Sequence, residues 1–91
     1  MKIALRAVVS GKVQGVWYRQ STLEQAASQG VHGWVRNLPD GRVEAWLEGE
    51  EAPVREVARW LEQGPARAEV AGVDLQQMEP QGFAEFEVRH S

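Results

Sequence analysis

Apolar and polar residues change their period several times along the chain, and each change marks an element. Over residues 3–9, Leu5, Ala7 and Val9 fall on one side and Arg6 and Ser10 on the other, the two-residue period of a strand. Gly11 to Gly15 breaks the pattern with two glycines and reads as a loop. Ser21-Thr22-Leu23-Glu24 has the form of a capping box, in which Ser21 accepts a helical N–H and Glu24 reaches back. Leu23, Ala26 and Ala27 follow at helical spacing and Gly30 is a stop, so a first helix is predicted over 22–29. Val31 to Arg36 reads as a second strand, and Leu38-Pro39-Asp40-Gly41 as a turn. Val43, Ala45 and Leu47 alternate with Glu44, Trp46 and Glu48, which gives a third strand and a hairpin. Pro53 suits the first turn of a helix, in which Val54, Val57, Ala58 and Leu61 repeat at i, i+3, i+4 and i+7 until Gly64-Pro65. Val70, Val73, Leu75 and Met78 mark a less regular strand over 68–79. Phe83 to His90 forms a last one, with Phe86 and Val88 on one face.

The predicted order is therefore β-α-β-β-α-β-β. Two β-α-β units that cross over on the same side give an α+β, ferredoxin-like two-layer sandwich: an antiparallel sheet of four to five strands with both helices on one face. Ninety-one residues suffice for one such domain, spanning 1–91. Strands joined through a helix run parallel, so the C-terminal ends of the first two strands share one edge of the sheet. The loop at 11–19 and Asn37 are expected to meet there, although about 20 residues separate them in sequence.

Composition narrows the function. The chain is 43% hydrophobic and 25% charged, an ordinary globular balance, and has no cysteine. That excludes a disulfide framework, a thiolate nucleophile and cysteine-based metal sites. No stretch is apolar enough to span a bilayer, and Arg6 interrupts the N-terminal apolar run, so a soluble cytoplasmic protein without membrane contact is expected. The net charge of −3 argues against nucleic-acid binding. A ferredoxin-like RNA-binding domain would need exposed aromatics on its central strands, where this chain has Trp46 amid glutamates. The charge is unevenly spread: residues 1–23 carry Lys2, Arg6, Lys12 and Arg19 and no acid, and the remainder sums to −7. A basic first quarter on an acidic chain is either solvated surface charge or a local anion site.

The run Gly11-Lys12-Val13-Gln14-Gly15-Val16-Trp17-Tyr18-Arg19 gives the second option a chemistry. Glycines in a loop let successive backbone N–H groups turn inward, and the helix that follows presents its own free N–H groups to the same place. Arg19 adds a planar fork of donors that matches two oxygens of a phosphate or carboxylate. Glycine loops beside arginines are also common without function. This loop lacks the Gly-Lys-Ser/Thr of nucleotide-binding phosphate loops and the Gly-x-Gly-x-x-Gly of dinucleotide sites.

Gly11-x-Val13-Gln14-Gly15-Val16-x-Tyr18-Arg19 resembles the first signature of acylphosphatases. Gly33-Trp34-Val35-Arg36-Asn37, followed by Gly41, Val43 and Gly49, resembles their second. Length and element order are similar too, so the likeness covers nearly the whole chain. One departure is Tyr18, where the family more often has phenylalanine or methionine; it matters only if the hydroxyl is buried without a partner. The resemblance implies hydrolysis of small acyl phosphates to a carboxylate and inorganic phosphate, with no metal, no other cofactor and no phosphoenzyme. It implies that Arg19 and the N–H groups of Gln14, Gly15, Val16, Trp17, Tyr18 and Arg19 bind the phosphoryl group, and that Asn37 positions the attacking water. Inorganic phosphate is then product and inhibitor, and a monomer is expected. The alternative is a catalytically weak module of the same fold that binds phosphate or carbamoyl phosphate.

Asn37, the only asparagine, also has a plain reading as a turn residue before Pro39-Asp40-Gly41. His32 and His90 have no second ligand at metal spacing and read as structural or exposed. Strand alternation sends Arg36 to the face opposite Asn37. Lys12 offers long-range attraction for anions, Trp34 and Trp46 read as packing, and Glu48, Glu50 and Glu51 as solvated charge at a helix start.

Overall fold

The computed structural model describes residues 1–90. It contains β1 (Lys2–Lys12), α1 (Tyr18–Gln29), β2 (His32–Asn37), β3 (Val43–Glu50), α2 (Glu51–Leu61), β4 (Glu69–Met78) and β5 (Phe86–Arg89). The strands form one sheet in the order β4-β1-β3-β2-β5. Leu5, Ala7 and Val9 of β1, Val35 of β2, and Val43, Ala45 and Leu47 of β3 are buried in one core with Ala26 of α1 and Val54, Val57, Ala58 and Leu61 of α2. The two helices touch each other as well as the sheet, so both lie on one face, as the alternation predicts. Gly30, at φ 70°, ends α1; its N–H and that of Val31 turn back to the carbonyls of Ala26 and Ala27.

Three expectations change. The sheet is mixed rather than antiparallel throughout: β1–β3, β1–β4 and β2–β3 are antiparallel, but β5 runs parallel to β2, with Gly33 opposite Phe86 and Val35 opposite Val88. The reason is topological. β4 and β5 occupy opposite edges, so the segment between them crosses the sheet instead of closing a hairpin.

Second, α1 begins at Tyr18, four residues before the predicted start, and Ser21 and Glu24 form no capping box. Ser21 lies inside the first turn, its N–H on the carbonyl of Trp17 at 2.9 Å. Burial of Val13, Val16 and Tyr18 draws the chain into the helix early, and the preceding loop takes the place of a side-chain cap.

Third, Glu48 is not solvated charge; only 5% of its surface is exposed. It lies on the sheet face away from the helices and accepts from the Trp46 indole at 2.9 Å and from the N–H groups of Gln81, Gly82 and Phe83 at 2.7, 2.7 and 3.0 Å. Burial alone would raise its pKa; the four donors outweigh burial and lower it. Glu48 thus pins the crossing segment to the sheet, and Phe83 packs edge-on against Trp46 at 6.3 Å. Glu44, 4% exposed on the same face, takes the guanidinium groups of both Arg6 and Arg36. Trp34 stacks on Trp46 at 6.4 Å, with Arg36 and Arg89 over its ring, which makes both tryptophans packing residues as expected.

Candidate active site

β1 ends at Lys12 and β2 at Asn37, on the same edge of the sheet, so loop 13–17 and Asn37 are neighbours. Val13 and Val16 anchor the loop in the core. The Gln14 amide donates to the carbonyls of Leu38 and Arg42 at 2.9 and 3.0 Å, tying the loop to the β2–β3 turn. Gly15 (φ 73°) and Trp17 (φ 63°) are left-handed and Val16 between them is not. Such alternation is the pattern that lets successive N–H groups turn toward one concave side, and the loop leads directly into the N-terminal turn of α1. Glycine takes this conformation freely at 15; at 17 a bulky residue takes it at a cost.

Tyr18 is 1% exposed, and its hydroxyl donates to the Leu61 carbonyl at 2.6 Å. Burial pushes its pKa far up, so it stays neutral. The departure from the family pattern is therefore harmless, because the extra hydroxyl has a partner that a phenylalanine would not need.

Arg19 leaves the first turn of α1 toward β5. Its Nη1 donates to the carbonyl of Arg89 at 3.1 Å and lies 3.3 Å from Nδ1 of His90. Among the described residues it meets no carboxylate, whereas Arg36, one strand away, is held by Glu44 at 2.6 Å. Arg36 thus points where alternation sends it. Asn37 pairs with Val43 across β2–β3, and its side-chain Oδ1 is buried without a hydrogen-bond partner among the described residues.

Gly15, Trp17, Arg19, Asn37, Val88 and His90 border one cleft of about 530 Å³. A second hollow of about 500 Å³ shares Arg19, Asn37 and His90 with it and extends to Arg36 and Pro39. Among the described residues no carboxylate lines either cavity, in a chain whose net charge is −3. An arginine, a loop of alternating hand and a helix N-terminus around a space that no described carboxylate lines suit an anion. Of the expected loop residues, Gly15, Trp17, Tyr18 and Arg19 line the first cleft. The Gln14 side chain turns to the β2–β3 turn, and Val16 faces the core. Lys12 is exposed outside it.

The sequence reading missed the contribution of β5. Val88 and His90 line the cleft, and the Arg89 carbonyl holds Arg19, only because β5 lies parallel beside β2, a pairing that periodicity does not reveal.

Comparison with known proteins agrees with this geometry. The family model described as Acylphosphatase matches residues 5–88. An acylphosphatase of Pseudomonas paraeruginosa is 56% identical over 88 residues, which cover 97% of each chain. The acylphosphatase structure from Coxiella burnetii superposes with a TM-score of 0.93 at 35% identity, over 97% of this chain and 93% of that one. The structure from Bacillus subtilis gives 0.93 at 28% identity, over 96% and 98%. A cleft fitted to an oxyanion, on a chain alike from end to end to these proteins, leaves one conclusion: the chain belongs to the acylphosphatase family and is an enzyme that hydrolyses acyl phosphates.

Proposed function

We propose that the phosphoryl group of the acyl phosphate sits in loop 14–19, held by its backbone N–H groups and by Arg19, and that Asn37 positions the attacking water. The observation that carries this division of labour is that Asn37, at the end of β2, borders the same two hollows as Arg19. Its side-chain amide can hydrogen-bond a water in that cleft, and being neutral it adds no charge to repel the anion. An aspartate would.

The leaving group is a carboxylate, so positioning and charge stabilisation matter more than a strong base. The water oxygen bonds to phosphorus as the phosphorus–carboxyl oxygen bond breaks, and the carboxylate departs with the electron pair. The water proton passes to a phosphate oxygen, which balances the products without a protein base. Among the described residues no three His, Cys, Asp or Glu side chains are grouped to hold a metal ion. Inorganic phosphate, presenting the same oxygens, competes for the loop. No described helix is long and apolar enough to cross a membrane; we take the enzyme as a cytoplasmic monomer, a reading that size-exclusion chromatography and cell fractionation test.

Steady-state kinetics on Asn37→Ala, paired with the inhibition constant of phosphate, tests the site. The expected outcome is a rate lower by roughly 10²–10³ with phosphate inhibition largely intact, because the lost group acts only in the chemical step. Asn37→Asp should weaken phosphate binding as well. Normal turnover in Asn37→Ala, or phosphate binding lost in step with rate, would remove Asn37 from the water-positioning role.

A further inference from the structure

We propose that the groove on the other side of Trp17 from the anion cleft is the acyl subsite, and that it selects acyl phosphates whose acyl group is flat and apolar. This rests on the reading that the phosphoryl group occupies loop 14–19.

Trp17 is the only non-glycine residue in the left-handed region among those described, and its side chain is 75% exposed. The alternation of hand explains why position 17 is left-handed. It does not explain a tryptophan, since glycine or asparagine adopts that backbone at less cost and leaves no large apolar surface in water. The indole therefore recovers no burial energy within the chain to offset its conformation.

Its position suggests a different partner. Trp17 and Gln20 border both the anion cleft and a separate groove of about 470 Å³. The groove runs between the start of α1 and the segment after α2, with Val16, Pro65 and Ala66 as apolar walls. Glu24 and Arg67 also line it, one of each sign, so the groove has no net charge to recruit an ionic acyl tail. The substrate bond that breaks joins an anion to an acyl group. An anion held in the loop leaves the acyl group at the rim, where the exposed indole stands and the uncharged groove begins. A planar acyl group can stack on that ring; an acetyl group is too small to reach past it.

The test compares benzoyl phosphate with acetyl phosphate, each with the phosphate inhibition constant. Trp17→Asn keeps a residue that tolerates the backbone and removes the ring. Because Trp17 belongs to the anion loop, the readout is the difference between substrates: the variant's KM for benzoyl phosphate should rise roughly five- to tenfold more than its KM for acetyl phosphate, with the acetyl phosphate and phosphate constants reporting any effect on the loop itself. Ala66→Glu, which leaves the loop untouched, should raise the benzoyl phosphate KM severalfold and spare acetyl phosphate. Equal losses on both substrates in Trp17→Asn would make the ring a support of the loop, and an unchanged benzoyl phosphate KM in both variants would also overturn the subsite. These failures differ from failure of the anion reading itself, which would show as phosphate inhibition surviving in Arg19→Ala.

Discussion

Two arginines one strand apart meet opposite treatment. Arg36, on the sheet face away from the helices, shares the buried carboxylate of Glu44 with Arg6, and nearby Glu48 has all its bonds made. Arg19, at the substrate edge, meets no carboxylate among the described residues; its partners there are the Arg89 carbonyl and the His90 ring, and Asn37 borders the same cleft. One region is satisfied internally and stabilises the fold. The other leaves an arginine without a described carboxylate partner and a left-handed Trp17 backbone around an open cleft, the pattern of a binding edge. An arginine already neutralised by a buried acid has little to offer a phosphate. An arginine held by a backbone carbonyl and an imidazole ring, with no described carboxylate beside it, keeps its charge available to an anion.

The comparison breaks most sharply at Arg19. Arg19→Ala should lose about 3 kcal/mol or more of transition-state binding, a rate loss on the order of 10² or greater, together with phosphate inhibition. Arg19→Lys should also be poor, since a point charge cannot reproduce the fork; near wild-type kinetics for Arg19→Lys would show that charge alone suffices.

Glu48→Gln tests the satisfied side. It sets an amide N–H₂ against backbone donors, so about 2–3 kcal/mol of stability should go, lowering Tm by roughly 10–20 °C. Because the folded carboxyl has a lowered pKa, its contribution is complete above the ordinary value of 4.5 and disappears as pH falls through the folded value. Thermal melts across that acid range should fall more steeply for the wild type than for Glu48→Gln. Parallel curves would mean that the carboxylate charge is not what pins residues 81–83.

Arg36→Ala is the smallest and most discriminating change. Glu44 keeps Arg6, and Arg36 is part-exposed, so stability should fall by about 1 kcal/mol or less. kcat/KM and phosphate inhibition should stay within about twofold. Phosphate inhibition lost in Arg36→Ala would put this arginine in the site despite its carboxylate partner and erase the distinction between the two regions.

How far the chain could be read depended on where its interactions lie. Helix α2 was legible because Val54, Val57, Ala58 and Leu61 all face one core at one period. The loop with Arg19, and its meeting with Asn37, were legible because two β-α-β crossovers bring parallel strand ends to one edge. The start of α1 was misread, since Ser21 and Glu24 carry a valid local signal that burial of Val16 and Tyr18 overrides. His90 was discounted because a lone histidine near the end of the chain has no local pattern to mark it.

By itself, then, the sequence determined the element order, the two-layer architecture, the family signatures and the residues at the shared edge. These follow from periodicity, glycine placement and crossover handedness, which act within about 30 residues. Only the tertiary structure decided that β5 lies parallel to β2, that Glu48 is buried under a crossing segment, and that Arg19 turns to β5 while Trp17 stands exposed. Each depends on partners about 30 to 70 residues away, as when Glu48 meets Gly82 or Arg19 meets Arg89. Whether a polar group is satisfied is a property of everything that surrounds it, and no local stretch of sequence contains that surrounding.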